Sequence, residues 1–406
     1  MRILHTGDWH LGKNLEGKSR MDEQEKFLED FLQIVEREKV DLVLIAGDVY
    51  DSSNPPARAE KMFYDTLKKV SSNGERLVVV IAGNHDSSER LVAATPLAME
   101  HGIIIIGTPK TIVPIGEYGV HKVLNSGEGF IEVEINNEKA IILTVPYPSE
   151  KRLNEVLYGD MDSEEERLET YGDRIRLLFD NLKSNYREDT INLILSHLFA
   201  MGSEEGGSER NITLGGSYIV NSSCFPKEAQ YIALGHVHKP QVVPGTEKKA
   251  RYSGSPIHYN KNEIGFKKKC FVIDVKAKQD AIINEVELNV YKPIEIWKCD
   301  SIEDAIDRCF KNKDRECWVY LEVKTDEYIR EDQIKQMKDL KKDILEIVPK
   351  ITLNEEELEI ENVSKKSFED MFKEFYKKER DLEPSDELLT LLRSIVSEEE
   401  SKDEAN

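Results

Sequence analysis

Seven side chains with oxygen or nitrogen donor atoms follow short apolar runs in this sequence. These side chains are Asp8, His10, Asp48, Asn84, His197, His236 and His238. Carboxylate and amide oxygens combined with imidazole nitrogens, without thiolates, suit Mn²⁺, Fe²⁺ or Zn²⁺ better than Ca²⁺ or a structural zinc site. Seven such ligands exceed the needs of one tetrahedral ion. They suit two ions that share a bridging carboxylate, activate water and clamp a phosphoryl group.

His85 lies beside one of these candidate ligands, within the sequence GNHD at residues 83–86. It is not an obvious ligand itself, and its position suits contact with a phosphate or protonation of a leaving oxygen. A single His or Asp at the end of a strand is more often a capping or turn residue than a ligand. The complete set in this order is a much stronger signal, so the sequence predicts a two-metal site.

The candidate ligands follow five apolar runs. The runs are residues 2–6 (RILHT), 42–46 (LVLIA), 77–82 (LVVVIA), 191–195 (INLIL) and 231–234 (YIAL). The polar residues follow them as GDWH, GDVYD, GNHD, SH and GHVH. Such runs predict buried strands whose carboxyl ends open into loops, where α/β folds keep their chemistry.

Helical spacing of apolar residues separates most of these strands. It predicts helices over residues 20–40, 58–70, 88–100 and 163–184. The crossover lengths predict parallel pairing of the first three strands. Residues 103–145 change to short alternating segments with Gly and Asn turns, which predicts the antiparallel second sheet of a sandwich. A glycine-rich insert over residues 202–217 is either a rim or lid of the site or a plain excursion of the chain.

The order of these motifs resembles that of the calcineurin-like metallophosphoesterases. The LG after GDWH, the SSNPP after GDVYD and the SGSP at residues 253–256 narrow the resemblance to the SbcD family of DNA-repair nucleases. This resemblance implies an α/β fold, a four-layer α-β-β-α sandwich over residues 1–285. It further implies a small α/β capping domain over residues 286–353 that restricts which DNA reaches the metals. An acidic linker and two amphipathic helices over residues 354–406 would form the tail.

The resemblance also implies roles for single residues. One ion would be held by Asp8, His10, Asp48 and His238, and the other by Asp48, Asn84, His197 and His236, so that Asp48 bridges. His85 would contact the scissile phosphate or assist the leaving 3′ oxygen, and Mn²⁺ is the expected ion. Asp51 stands where archaeal and eukaryotic relatives carry a second active-site histidine, whereas the bacterial branch tolerates aspartate there.

The activity implied by the resemblance is that of a DNA exonuclease on duplex ends and endonuclease on single strands. The chain would act as a homodimer within a heterotetramer that contains an SbcC-like coiled-coil ATPase. Two alternatives remain open. A small-molecule phosphodiesterase or phosphatase would use the same ligands, although the long C-terminal extension argues against it. A non-catalytic scaffold on the same fold would be expected to have lost ligands, and this chain retains all seven.

Residues 12–19 (GKNLEGKS) match the P-loop pattern GxxxxGK[ST] and suggest a different class of function, nucleotide binding. A P-loop leaves its strand directly and places Lys and Ser at the N-terminus of a helix. Asp8, Trp9 and His10 intervene between strand and loop here. The sequence therefore favours the phosphoesterase interpretation of this segment.

Composition limits the classes of partner. The net charge of −22 argues against a protein that coats DNA by itself, because phosphate contacts need Lys and Arg. If the substrate is DNA, a partner would supply many of the contacts to its phosphates. The basic clusters at residues 248–251 and 267–269 are more typical of solvated faces. Five scattered cysteines without a CxxC pair fit a reducing compartment. No leader and no membrane-length apolar run is evident, which predicts a cytoplasmic protein.

The C-terminal third shows two further patterns. Strands are predicted over residues 294–299 and 318–324, and helices over residues 301–310, with a Ser cap, and 330–342. Apolar residues at helical spacing within residues 368–376 and 388–396 predict two amphipathic helices. These helices either dock on their own chain or bind another protein as a helix in a groove. The family resemblance favours the second, with the coiled-coil ATPase as partner.

Overall fold

The computed structural model of this 406-residue chain describes residues 1–157, 170–209 and 219–351, together with 372–373, 376–377, 384–385 and 388–389. The predicted helical residues 163–169, the second half of the glycine-rich insert (residues 210–217) and most of the two tail helices lie outside the described residues. The chain divides into two compact units, Met1–Val323 with Ile329–Pro349 and Lys324–Tyr328 with Lys350–Asn406. In the second unit, the rings of Phe372 and Tyr376 lie 5.9 Å apart on helical residues.

Across the described residues we number twenty-one strands in chain order. They are β1 Arg2–Thr6, β2 Asn14–Leu15, β3 Lys18–Ser19, β4 Leu42–Ile45, β5 Leu77–Ile81, β6 Ile103–Ile106, β7 Gly116–Tyr118, β8 His121–Gly127, β9 Phe130–Ile135, β10 Glu138–Val145, β11 Ile191–His197, β12 Phe199–Ala200, β13 Ile219–Val220, β14 Tyr231–Gly235, β15 Gln241–Val242, β16 Ala250–Tyr252, β17 Lys269–Asp274, β18 Ile282–Glu287, β19 Ile294–Cys299, β20 Trp318–Thr325 and β21 Ile344–Ile351.

Eight α-helices connect these strands in the described part of the chain. They are α1 Met21–Arg37, α2 Ala57–Val70, α3 Ser88–Val92, α4 Thr95–Glu100, α5 Glu150–Leu157, α6 Tyr171–Leu182, α7 Ile302–Lys311 and α8 Glu331–Leu340. The single helix predicted over residues 88–100 is wrong, because it is broken between α3 and α4. Pro96 lies in the first turn of α4, where it needs no N–H, and it could not continue a helix from α3. None of these helices combines the length and apolar character needed to cross a membrane.

The first large sheet has the strand order β18-β17-β1-β4-β5-β6. The strands β1, β4, β5 and β6 run parallel, as the crossovers predict, and β17 and β18 extend the sheet antiparallel beside β1. The prediction that residue 103 onward belongs to the second sheet is wrong for Ile103–Ile106. All four isoleucines are buried, which is typical of a parallel strand covered on both faces rather than of an alternating strand.

The second large sheet has the strand order β15-β16-β14-β11-β10-β9-β8-β7. The predicted antiparallel hairpins are confirmed from β7 to β10. From β10 onward the pairing is parallel through β11, β14 and β16. The core of this sheet therefore also directs the carboxyl ends of adjacent strands to one edge.

Alternating side chains on the central strands explain why the two sheets stack. In β4, Leu42 and Leu44 join the apolar cluster between the two sheets. The intervening Val43 and Ile45 join the cluster beneath α1 and α2 on the outer face. A third cluster packs α6 against the outer face of the second sheet. The result is the predicted α-β-β-α sandwich, with apolar residues on both faces of each central strand.

A smaller sheet with the order β19-β20-β21 follows the sandwich. Both predicted strands and the two predicted helices of this region are confirmed, and the hydroxyl of Ser301 caps α7 by accepting the N–H of Asp304. One face of the sheet forms its own core with α7 and α8. The other face places Trp318 and Tyr320 against Leu15 of the sandwich. The indole of Trp318 donates to the buried carboxylate of Glu23 at 2.7 Å, which joins the small sheet to α1.

Candidate metal centre

The candidate ligands lie where the carboxyl ends of five strands meet. Neighbouring strands β1, β4 and β5 supply ligands from the first sheet, and β11 and β14 supply them from the second. His197, the last residue of β11, pairs with Gly235 at the end of β14. Asp8, His10, Asp48 and His236 all have positive φ angles, of 52°, 45°, 48° and 104°. Such conformations are costly for residues other than glycine, and they turn these side chains back towards one point.

The first group of possible ligands contains Asp8, His10 and His238. Their donor atoms all lie within 4.8 Å of one another, and all three side chains are buried. The Nε2 atoms of His10 and His238 face each other at 2.9 Å. Burial lowers the pKa of His10 to about 3, so its ring is neutral at neutral pH and offers a lone pair.

The second group contains Asp48, His197 and His236, again with donor atoms within 4.8 Å and all buried. Asn84 joins it from the end of β5. The amide oxygen of Asn84 lies 2.9 Å from Nε2 of His197 and 3.1 Å from Nδ1 of His236. Two imidazole nitrogens and one amide oxygen therefore converge beside the Asp48 carboxylate.

Asp48 lies between the two groups. Its Oδ2 atom is 3.6 Å from Nε2 of His10 in the first group and 3.5 Å from Nε2 of His197 in the second. Its Oδ1 atom accepts the backbone N–H of His85 at 2.9 Å, which holds the carboxylate in place. One carboxylate is thus positioned to serve both groups at once.

Outer contacts orient two of these side chains. Nδ1 of His197 donates to the carbonyl oxygen of Ala46 at 2.8 Å, which directs Nε2 towards the Asp48 carboxylate. The backbone N–H of His236 donates to Oδ1 of Asp8 at 2.8 Å. Oδ2 of Asp8 is buried and has no hydrogen-bond partner among the described residues. A buried carboxylate oxygen of this kind, grouped with the neutral ring of His10, fits a site for divalent cations.

Burial and neighbouring charges shift the pKa values of the acidic and basic groups in the site. Burial raises the pKa of Asp8 to about 7. Burial acts in the same direction on Asp48, but the adjacent His197 outweighs it and lowers the pKa of Asp48 well below its usual range. Burial would lower the pKa of His197, yet Asp48 and Asp8 raise it to about 9. The negative charge of the Asp48 carboxylate is therefore balanced by the neighbouring ring of His197.

His85 lies at the border of the two groups. Its Nδ1 atom is 2.8 Å from the carbonyl oxygen of Asp51, and its half-buried ring lies edge-on to His10 with centroids 4.7 Å apart. Donor atoms of His10, Asp51 and His85 also lie within 4.8 Å of one another. Donation from Nδ1 to a carbonyl leaves Nε2 of His85 for contact with a ligand or substrate.

Asp51 contacts the site through its carboxylate. Oδ1 lies 3.5 Å from Nδ1 of His10 and 2.7 Å from Nζ of Lys13. Burial raises the pKa of Asp51, but His10 and Lys13 outweigh it and lower the pKa below its usual range. Sequence reasoning assigned no role to Lys13, and its only sequence signal is its position shortly after the GDWH motif.

Asp86 is a second residue whose role sequence reasoning missed, although it is the last residue of GNHD. Its Oδ2 atom accepts the backbone N–H groups of Gly83 at 2.9 Å and Val49 at 3.2 Å, and its Oδ1 atom accepts that of Tyr50 at 3.0 Å. The loops after β4 and β5 are therefore held together by one carboxylate. This contact keeps Asp48 and Asn84 in register.

The structure contradicts the P-loop interpretation of residues 12–19. This segment contains the two-stranded hairpin of β2 and β3, with Asn14 paired to Ser19. Lys18 and Ser19 are exposed on β3, and they precede α1, which begins at Met21, instead of lying in its first turn. A P-loop cradle requires backbone N–H groups of a glycine loop to point at a phosphate, and a hairpin does not provide that arrangement.

The basic clusters are largely neutralised by acidic neighbours. Lys267 pairs with Glu287 at 2.8 Å, and Lys269 pairs with Glu285 at 2.5 Å. Arg251 lies 3.8 Å from Glu285. The prediction of solvated faces is wrong for Lys268, which is only 1% exposed.

Comparisons with protein families agree with this geometry. A family model described as calcineurin-like phosphoesterase matches residues 1–240. A second model, described as the type 5 capsule protein repressor C-terminal domain, matches residues 290–380. The second match covers the small sheet β19-β20-β21.

Two curated relatives extend the comparison. The chain is 37% identical over 405 residues to the SbcD subunit of the nuclease SbcCD from Bacillus subtilis (strain 168), covering 99% of this chain and 100% of the relative. It is 33% identical over 278 residues to a protein of the same name from Rhodobacter capsulatus, covering 66% of this chain and 64% of the relative. A solved structure described as a novel archaeal phosphodiesterase aligns with 71% of this chain and 100% of its own length at 13% identity, with a TM-score of 0.30.

Proposed function

The chain belongs to the calcineurin-like phosphoesterases and, within them, to the SbcD family of nuclease subunits, and we propose that it cleaves DNA phosphodiesters at the centre built around Asp48. It is a phosphodiesterase of the nuclease class and a subunit of an SbcCD-type complex. The observation that carries the proposal is the position of Asp48, whose Oδ2 atom lies 3.6 Å and 3.5 Å from the ring nitrogens of His10 and His197. A shared carboxylate between two ligand groups is the arrangement required for two ions.

We propose Mn²⁺ as the ion at both positions. Asp8, His10, Asp48 and His238 would hold one ion, and Asp48, Asn84, His197 and His236 would hold the other. The mixed oxygen and nitrogen donors, with no cysteine in the groups found among the described residues, support a borderline ion of this kind. When bound, two divalent ions supply an activated water and neutralise charge that develops on the phosphoryl group.

The remaining steps belong to side chains of the chain itself. Nδ1 of His85 donates to the carbonyl oxygen of Asp51, so Nε2 faces the substrate. In the imidazolium form of the ring, Nε2–H would donate to the scissile phosphate or give its proton to the leaving 3′ oxygen. The carboxylate of Asp51 lies 3.5 Å from Nδ1 of His10, and its charge is balanced by Lys13 at 2.7 Å. All the proposed ligands except Asn84 are buried, which keeps bulk water away from the ring nitrogens and carboxylates.

We further propose DNA as the substrate and a coiled-coil ATPase as the partner. The net charge of −22 supports a partner that supplies most of the cationic contacts to phosphates. The capping domain predicted over residues 286–353, which contains the small sheet β19-β20-β21, would limit which DNA reaches the centre. The tail over residues 354–406 would bind the ATPase. The chain would pair with a second copy within this complex. Apolar residues of α2, such as Phe63 and Leu67, are buried in their own subunit, so pairing would use other residues.

The test compares linear duplex DNA with bis(p-nitrophenyl) phosphate as substrates in Mn²⁺. Wild type and Asp48→Asn are assayed with and without ATP and the ATPase partner, and Asp65→Asn on the exposed face of α2 is the matched control. DNA cleavage that needs Asp48 and rises with partner and ATP supports the proposal. Cleavage of only the small ester under every condition would assign the protein to the small-molecule phosphodiesterases instead.

The tail is tested by a chain that ends before Ser364. Metal-dependent cleavage of the small ester should persist, because every proposed ligand lies before residue 240. Binding to the ATPase should be lost. If the truncated chain and the ATPase still co-purify as well as the full chain does, the partner site lies elsewhere.

A further inference from the structure

A buried chain of polar groups extends from the proposed ligand His238 away from the metal centre. Nδ1 of His238 lies 2.5 Å from the hydroxyl oxygen of Ser208. The same hydroxyl contacts Oε1 of Glu263, and Oε2 of Glu263 lies 2.5 Å from Nζ of Lys268. Glu263 and Lys268 are 0% and 1% exposed. An isolated buried charge is expensive, so such a chain persists only when each member is satisfied.

The hydrogen bonds that join His238, Ser208 and Glu263 can run in only one direction, from the imidazole to the carboxylate. Nε2 of His238 faces His10 at 2.9 Å on the side of the metal centre, so the ring hydrogen belongs on Nδ1. It then donates to the hydroxyl of Ser208, whose own hydrogen donates to Glu263. Oε2 of Glu263 also accepts the backbone N–H of Tyr259 at 3.1 Å. Both carboxylate oxygens therefore receive hydrogen bonds.

Lys268 balances the charge of Glu263 and also binds the backbone of His238. Its ammonium group donates to Glu263, to the hydroxyl of Ser255 at 2.7 Å and to the carbonyl oxygen of His238 at 3.1 Å. All three ammonium hydrogens thus have acceptors. The side chain and the main chain of His238 are held by the same buried ion pair.

Ser208 lies in the glycine-rich insert, and the next residue, Glu209, holds it in place. The carboxylate of Glu209 accepts the backbone N–H groups of Gly206, Gly207 and Ser208 at 2.6, 2.6 and 3.0 Å. It also accepts the backbone N–H of His238 at 2.8 Å. The start of the insert is therefore tied to the GHVH loop, which fixes the distance between the serine hydroxyl and the imidazole.

We propose that Ser208 and Glu263 are positioning residues for His238, acting as a hydroxyl-bridged carboxylate–histidine pair that holds Nε2 towards the proposed ion. The inference rests on the proposed function, since it assigns His238 as a ligand. A carboxylate that accepts from the far nitrogen of a metal-binding histidine fixes its tautomer and raises the basicity of the ligating nitrogen. Here the serine hydroxyl transmits that effect, and Lys268 keeps the carboxylate ionised.

The test measures Mn²⁺ binding by calorimetry in wild type, Ser208→Ala and Ser208→Thr. Ser208→Ala should weaken one of the two Mn²⁺ sites by about 10- to 100-fold, the range found when such supporting groups are removed. Ser208→Thr retains the hydroxyl and should restore binding. Ser184→Ala removes an exposed hydroxyl that donates to a backbone carbonyl and serves as the matched control. Urea unfolding of metal-free Ser208→Ala should show one cooperative transition at a lower midpoint, because His238 and Glu263 each lose a buried hydrogen bond. The loss of Mn²⁺ affinity should still be confined to one site, whereas a general loosening of the centre would weaken both.

A second variant tests the carboxylate without leaving a buried charge alone. Glu263→Gln combined with Lys268→Met removes the ion pair together, and Glu287→Gln breaks the exposed pair with Lys267 as its control. The double variant should lose affinity at the same Mn²⁺ site, and the control should bind as wild type does. Unchanged Mn²⁺ affinity in Ser208→Ala and in the double variant would overturn the inference while the proposed function stands. Wild type that binds no Mn²⁺ would overturn the proposed function itself.

Discussion

The close approach of Gly83 to Asp48 allows a quantitative test of how the metal centre is built. A Cβ atom on Gly83 would lie 2.1 Å from Oδ1 of Asp48 and 2.3 Å from its backbone nitrogen. Unstrained contacts between such atoms need roughly 3.5 Å. Neither neighbour can turn away freely, because one is main chain and the other accepts the N–H of His85 at 2.9 Å. Gly83→Ala must therefore displace one loop by more than about 1 Å.

The expected magnitude follows from two contributions. Forcing an extra methyl group into a closely packed site costs about 1–3 kcal/mol. Loss of the hydrogen bond from His85 to the Asp48 carboxylate adds about 1.5–3 kcal/mol. We therefore expect the free energy of unfolding to fall by about 2.5–6 kcal/mol. A displaced Asp48 no longer lies between the two ligand groups, so Mn²⁺ affinity should fall by about 100-fold.

Urea unfolding and Mn²⁺ calorimetry measure both effects. Gly172→Ala in α6 is the matched control, because the nearest atom to its added Cβ would lie 3.8 Å away. This control should be neutral or more stable by about 0.5 kcal/mol, since alanine favours a helix over glycine. If Gly83→Ala unfolds within about 1 kcal/mol of wild type and binds Mn²⁺ equally well, the two loops are not packed as described.

Three further predictions concern other parts of the site and fold. His85→Ala should abolish DNA cleavage with both Mn²⁺ sites retained in calorimetry, and loss of metal would mean that His85 is a ligand. Trp318→Phe should lower the free energy of unfolding by about 1.5–3 kcal/mol, because the carboxylate of Glu23 loses a donor; an unchanged urea midpoint would contradict this junction. Burial lowers the pKa of His5 to about 3, so the stability provided by its neutral ring is complete above pH 6.5 and is lost as pH falls towards 3. Between pH 7 and pH 5 the free energy of unfolding of wild type should fall by about 2 kcal/mol more than that of His5→Gln. If the two proteins show the same dependence of unfolding free energy on pH, His5 is not buried as a neutral ring.

Local sequence was sufficient to locate the strands that carry the candidate ligands. The runs before Asp8, Asp48 and Asn84 are rich in apolar residues because both faces of their sheet are covered, and this pattern needs no knowledge of the partner strands. The same rule would have identified Ile103–Ile106 as a central strand of the first sheet. The prediction failed for Ile103–Ile106 because this uninterrupted apolar run was grouped with the alternating segments that follow it.

Groups that support the ligands could not be found in this way. Asp86 binds backbone groups of a loop 36 residues earlier, and Ser208 meets Glu263 across 55 residues. Lys268 stands in a run of three lysines that differ in burial although they are identical in type. Hydrogen bonds between backbone and side chain leave no periodic pattern in the sequence, because each depends on how two distant loops approach.

The sequence by itself determined the donor types, their order along the chain and the strands that end in them, because apolar periodicity and ligand chemistry are properties of single segments. Only the tertiary structure decided that Asp48 lies between the two ligand groups and that residues 12–19 contain a hairpin. It also decided that the buried pair Lys268 and Glu263 supports His238. These are outcomes of stacking two sheets face to face. The distance between two loops is set by the packing of the layers beneath them, and no segment encodes that distance alone.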